Sequence, residues 1–143
     1  MGRDSAIGAD CIFCRIIAGE IPARMVSQSD TAAAFMDAFP LTPGHTLVVP
    51  KAHRRRVQDM TAAEVAGVFE MAAKLIPKID GLGGATLLAV HNGQGAGQEV
   101  PHVHVHLVPR YAGDSGDAIH SMFSKPAACS GPELDDILAR LRC

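Results

Sequence analysis

No stretch of this chain approaches the ~20 consecutive apolar residues that a membrane-spanning helix needs. The opening residues, Met1 to Asp10, are polar and lack the apolar core of a signal peptide. An excess of one charge is missing too: 13 Lys and Arg against 15 Asp and Glu leave a net charge of −2. That balance argues against a dedicated binder of nucleic acid or of acidic membranes. The single basic cluster, Arg54-Arg55-Arg56, reads as a solvated loop or helix face in preference to a phosphate or RNA patch. Internal repeats and low-complexity linkers are absent as well. The expected setting is the cytoplasm, where the four cysteines are thiols or metal ligands rather than disulfides. Cys129 and Cys143 carry no motif.

What is present is 143 residues, 48% of them hydrophobic, enough for one domain with a real core and too few for two. Residues 1–10 read as a flexible leader and residues 11–143 as a single domain. Apolar spacing suits a short helix from Cys11 to Ala18, ended by Gly19. Strands are predicted near Arg24–Gln28, Ala32–Asp37, His45–Val49 and Thr86–Val90, with turns at Ser29-Asp30 and Pro43-Gly44. Thr61 and Glu64 form a capping-box signature for a long helix. Its predicted buried stripe is Val65, Val68, Phe69, Ala72, Leu75, Ile76 and Ile79, with Pro77 kinking or shortening the last turn. Ser130 and Glu133 repeat the capping signature before a final helix near 132–142. Strands joined by short turns, with one long helix, make an α+β chain with an antiparallel sheet.

The chemistry concentrates at His102-Val103-His104-Val105-His106. On a strand the three imidazoles share one face and the valines the other. The Cα atoms of His102 and His106 would then lie roughly 13 Å apart. A zinc ion takes its nitrogen donors at ~2.0–2.1 Å, so one straight strand cannot bring all three to one metal. Nucleophile, proton shuttle and support are a better division of labour. Upstream, Asn92 and Gln98 flank the glycines Gly93 to Gly97, either a cradle whose main-chain amides meet a phosphate or an ordinary tight turn. Cys11 and Cys14 form a C-x2-C pair, with metal and redox readings both open.

The segment from Gly97 to Arg110 closely resembles the signature of the histidine triad (HIT) family, His-φ-His-φ-His-φ-φ. Three further blocks resemble that family in the expected order: Cys11-Ile-Phe-Cys14 with Gly19-Glu-Ile-Pro22, Ala34-Phe-Met-Asp37, and Pro43-Gly-His-Thr-Leu-Val-Val-Pro-Lys51. The order is most similar to the small nucleotide-binding branch that includes nucleoside phosphoramidases. That resemblance implies a five-stranded antiparallel sheet with one long and one or two short helices, usually paired as a homodimer.

It also implies roles. His104 is the expected nucleophile toward the α-phosphorus of a purine nucleotide or AMP-linked compound. His106 and His45 assist it by binding a phosphate oxygen or protonating the leaving group. Asp37 matches the ribose-binding position, and Phe13, Ile16, Phe35 and Leu47 match the apolar pocket around the base. From the residues alone, Asp37 also suits a turn and the four apolar side chains plain core packing. Cys11, Cys14, His53 and His102 match a zinc site seen in many bacterial members. Such a site has every ligand supplied by protein, so the zinc would be structural. Two positions depart from the family: His91 stands where relatives often carry Asn, and Glu99 where they often carry Ser or Thr. A carboxylate there favours a cationic amine leaving group over a polyphosphate, unless strand alternation turns Glu99 to solvent on the face opposite His102 and His104. The competing functions are a dinucleoside polyphosphate hydrolase, a metal-dependent hydrolase, and a nucleotide-binding regulator with little turnover.

Overall fold

Five short runs of small and β-branched residues pair into one antiparallel sheet in this computed structural model, which describes residues 10–142. The strands are β1 (Met25–Gln28), β2 (Ala32–Met36), β3 (Thr46–Pro50), β4 (Ala85–Ala89) and β5 (Val105–Arg110), in the order β1-β2-β3-β5-β4. Among the described residues three α-helices accompany them: α1 (Ile12–Ile17), α2 (Ala62–Gly83) and α3 (Gly131–Leu141). The predicted α+β fold with five antiparallel strands is therefore the observed one. The expected leader, apart from Asp10, lies outside the described residues, as does Cys143. Among the described residues no helix is long and apolar enough to cross a membrane.

Strand alternation splits the core in two. Ala32, Ala34, Val48, Val103, Val105 and Leu107 point to one face, where Val68, Met71, Ala72, Leu75 and Ile79 of α2 cover them. Ala33, Phe35, Leu47 and Val49 point to the other, where Cys11 and Phe13 close over them. The small residues of β2 suit this double burial, because α2 and α1 approach the sheet from both sides.

The capping box of α2 forms as its sequence predicts: the Thr61 hydroxyl accepts from the Glu64 amide and the Glu64 carboxylate accepts from the Thr61 amide. Gly84 ends the helix at φ +116°, a left-handed position suited to glycine. Three expectations need correction. Helix α2 continues through Pro77 to Gly83, held on both sides of the exposed proline by buried Leu75 and Ile79. Phe69 lies outside the buried stripe and Met71 inside it, because the face turned to the sheet is rotated from the one the periodicity suggested. Most consequential for the site, the histidine segment is not a strand throughout. Pairing starts only at Val105.

Candidate active site

Two hydrogen bonds explain why the segment before Val105 leaves the ladder. The His102 amide donates to the Val100 carbonyl at 2.8 Å, and the Val103 amide to the Arg54 carbonyl at 2.7 Å. The backbone is thus tied to the loop that follows β3 rather than to β3 itself. The facing pattern survives: Val103 and Val105 enter the α2 side of the core, and His102 and His104 turn toward Phe13 of α1. Phe13 meets both imidazoles edge-on, with ring centres 5.8 Å and 5.1 Å away. His104 and His106 follow at 4.8 Å. His45, immediately before β3, reaches the same row, since Leu47 pairs with His106 across the β3–β5 ladder.

Hydrogen bonds assign the tautomers. His104 Nδ1–H donates to the His102 carbonyl at 2.8 Å, which leaves the Nε2 lone pair unprotonated. His45 Nδ1 accepts from the Leu41 amide at 3.1 Å, so its proton sits on Nε2. That proton is donated to His106 Nδ1 at 2.9 Å, which in turn puts a proton on His106 Nε2. His106 Nε2 is buried without a hydrogen-bond partner, a donor held ready for an acceptor. The row therefore offers a nucleophilic lone pair on His104 beside an unspent N–H on His106. Burial favours the neutral forms. It pushes His106 down to about 4, helped by His104, His45 and His91, and it lowers His104 and His45 below the usual imidazole range.

Cys11, Cys14, His53 and His102 converge beside this row, with their ligand atoms all within 4.8 Å of one another. Cys11 Sγ lies 3.4 Å from His102 Nδ1; Cys14 Sγ lies 3.3 Å from His53 Nδ1 and 3.5 Å from His102 Nδ1. Sulfur and nitrogen bound tetrahedrally to one zinc stand about 3.5 Å apart. His102 Nε2–H donates to the Pro50 carbonyl at 2.8 Å, which turns an unprotonated Nδ1 toward the sulfurs. Burial holds His102 near 4, so it stays neutral, and burial beside Cys11 pushes the Cys14 thiol up to about 12. A thiol held this high gives up its proton readily only to a cation that replaces it. The donor set fits zinc.

The predicted nucleotide contacts divide. Phe13, Phe35 and Leu47 are buried together and Ile16 packs against them, forming the apolar wall under the row. Asp37 follows β2; its Oδ1 accepts from the Phe39 amide at 2.9 Å, while Oδ2 lies 3.6 Å from His45 Nε2. Turn residue and site residue are therefore compatible at this position. The side-chain amides of Asn92 and Gln98 are hydrogen-bonded within the protein, Gln98 through both N–H groups and Asn92 through one. Asn92 bonds the Val57 amide and the Gln58 side chain. Gln98 accepts from the Gly93 amide and donates to the Arg55 and Val100 carbonyls. These bonds clamp the glycine loop to the segment after His53, while exposed Asn92 keeps a second side-chain N–H for a ligand.

A groove of about 610 Å³ runs along that loop, lined among others by Arg55, Arg56, Gln94 and Glu99. The reading of Arg54-Arg55-Arg56 as a merely solvated face is incomplete. Arg54 pairs with Glu64 at 2.9 Å, but Arg55 and Arg56 form no ion pair among the described residues and share the groove with Glu99. Any repulsion of anions by Glu99 is offset there by two guanidinium groups. His91, noted in the sequence only as a departure, stands 5.3 Å from His106, ring centre to ring centre. A count of histidines near position 102 misses it because β4, not β5, delivers it.

The antiparallel sheet thus presents a file of imidazoles between an apolar wall and a glycine loop. The HIT domain model matches residues 18–113, and the chain belongs to that family. An uncharacterised HIT-like protein of Methanocaldococcus jannaschii is 39% identical over 133 residues, covering 92% of this chain and 98% of that protein. The Arabidopsis thaliana protein called adenylylsulfatase HINT3 is 34% identical over 111 residues, 76% of this chain and 56% of its own length. Among solved structures, a histidine triad nucleotide-binding protein from Candida albicans superposes with a TM-score of 0.81 at 26% identity, over 92% of this chain and 94% of that one.

Proposed function

We propose that this protein hydrolyses the α-phosphate bond of a purine nucleoside phosphoramidate or a related AMP-linked compound through a nucleotidyl-histidine intermediate on His104. The observation that carries this reading is the His104 Nδ1–H bond to the His102 carbonyl, which leaves Nε2 nucleophilic at neutral pH. The substrate's base lies against Phe13, Ile16, Phe35 and Leu47, and its ribose hydroxyls bond Asp37. Nε2 of His104 attacks phosphorus in line, and the leaving group departs with the electron pair of its bond. His106 Nε2–H supports a non-bridging oxygen as charge shifts onto it. Water then attacks the nucleotidyl-imidazole, AMP leaves, and the lone pair of His104 returns. The nucleotide-binding and adenylylsulfatase names of the two relatives support this chemistry class.

Cys11, Cys14, His53 and His102 would hold zinc, which supplies a closed structural cross-link and no vacant position for substrate. A homodimer belongs to the same reading, since β4 is a free sheet edge bearing half-exposed Leu87 and Leu88. Acid quenching during turnover of an adenosine phosphoramidate, followed by mass spectrometry, is expected to find AMP on His104. His104→Gly should lose both the adduct and about 10³-fold or more of the rate. Equal turnover by parent and variant sinks the proposal. A substrate with an anionic leaving group is a second reading, favoured by Arg55 and Arg56 in the groove. A higher kcat/KM on adenylylsulfate or diadenosine tetraphosphate than on the amine would select it.

A further inference from the structure

Departure of an amine from phosphorus needs a proton, and most of the imidazoles in this site have none to give. His104 spends Nδ1–H on the His102 carbonyl, and its Nε2 is the atom bonding to phosphorus. His102 spends Nε2–H on the Pro50 carbonyl and turns Nδ1 to the cysteines. His45 is bonded at both nitrogens, to the Leu41 amide and to His106. His106 has one proton to offer, on Nε2, and losing it would force a shift along the His45 bond as well.

His91 is different. It follows β4, whose last residue Ala89 pairs with His106, and its ring stands 5.3 Å from the His106 ring at 48°. The row of imidazoles thus continues one member past His106, onto the next strand. Neither ring nitrogen of His91 has a hydrogen-bond partner among the described residues, and the side chain is half-buried, within reach of solvent protons. Gly97, at φ +100°, lies beside the ring: a Cβ added there would stand in ordinary contact, 3.6–3.9 Å, with three of its atoms. Asn92, the next residue, is pinned to Val57 and Gln58. The ring is therefore positioned without being chemically occupied.

The geometry points to His91 as the proton donor to the leaving group, a catalytic role outside the triad and specific to the histidine this chain carries at that position. The assignment rests on the hydrolase reading above. As His104 Nε2 bonds to phosphorus, the phosphorus–nitrogen bond breaks and its electron pair goes to the amine nitrogen. The amine takes its proton from the His91 imidazolium, which becomes neutral. Neutral His91 then receives a proton from the water that attacks the nucleotidyl-imidazole, so the cycle closes as amide plus water to AMP plus amine.

Leaving-group dependence separates this role from a structural one. The full-length parent and His91→Asn are compared on an AMP alkylamide, whose leaving group needs a proton, and on the AMP p-nitrophenyl ester, whose leaving group departs as a stable anion. The substitution is expected to cost the alkylamide about 10²-fold in kcat, the lower range for a lost general acid, and at least thirtyfold more than it costs the ester. Exogenous imidazole should restore part of the loss in His91→Gly on the alkylamide. Equal losses on the two substrates, or no loss on either, overturn the assignment while leaving the hydrolase reading in place. A parent protein that releases AMP from neither compound overturns both.

Discussion

Side chains in this site act through the protons they are prevented from holding. His104 is useful because a main-chain carbonyl has claimed its Nδ1 proton and because burial lowers its pKa. A free imidazole is half protonated near pH 6.5. The nucleophilic form of His104 is the neutral one, so activity is lost as pH falls through its folded pKa, which lies below that value. On the p-nitrophenyl ester, kcat/KM is expected to fall to half its plateau only below pH 6.5. A rate already halved at pH 6.5 in a stopped-flow pH series would show that burial does not protect this group. The same residues mark the reach of sequence reading. His104, His106 and His45 stand out by spacing and by family resemblance, and the structure brings all three together. Asn92 and Gln98 are the right residue types beside a glycine loop, and their amides also bond Val57, Gln58, Gly93 and Arg55, partners that spacing along the chain cannot name.

Helix α1 is the element on which two functions converge. It has six residues, too few to be stable alone, and gains its place by burying Phe13 against Phe35, His102 and His104. Cys11 and Cys14 at its start carry the other attachment. If zinc joins them to His53 and His102, removing it frees α1 and the floor of the row together. Zinc-loaded protein treated with EDTA is expected to lose about 10 °C of melting temperature, the effect of a ligand held about 1,000-fold above its Kd on a chain this size. Amides of α1 should then exchange faster than those of α2 in hydrogen-exchange mass spectrometry. An unchanged melting temperature, with no zinc detected before treatment, would remove the structural-metal proposal. Phe13→Ala should cost about 3–5 kcal/mol in the same assay, with or without metal.

Across the whole molecule, apolar surface is left where a single chain has nothing to cover it. Strand β4 is one edge of the sheet, with Leu87 and Leu88 38% and 40% exposed, and α3 exposes Leu134, Ile137, Leu138 and Leu141 without burying any residue. A two-fold partner seated on β4 would extend the sheet and cover Leu87 and Leu88 on both chains at once. Sedimentation velocity is expected to show a dimer that Leu88→Lys converts to monomer; a parent protein that sediments as a monomer at micromolar concentration would refute the pairing.

The amino-acid sequence by itself determined the α+β class, the capped long helix, and the residue types of the site, because alternation, capping and histidine spacing are local properties of a chain. Only the tertiary structure decided which protons those histidines keep, that the triad enters its strand at Val105, and that His91 joins the row from a neighbouring strand. Those outcomes depend on hydrogen bonds and burial between residues far apart in the chain, and such contacts exist only after the sheet has closed.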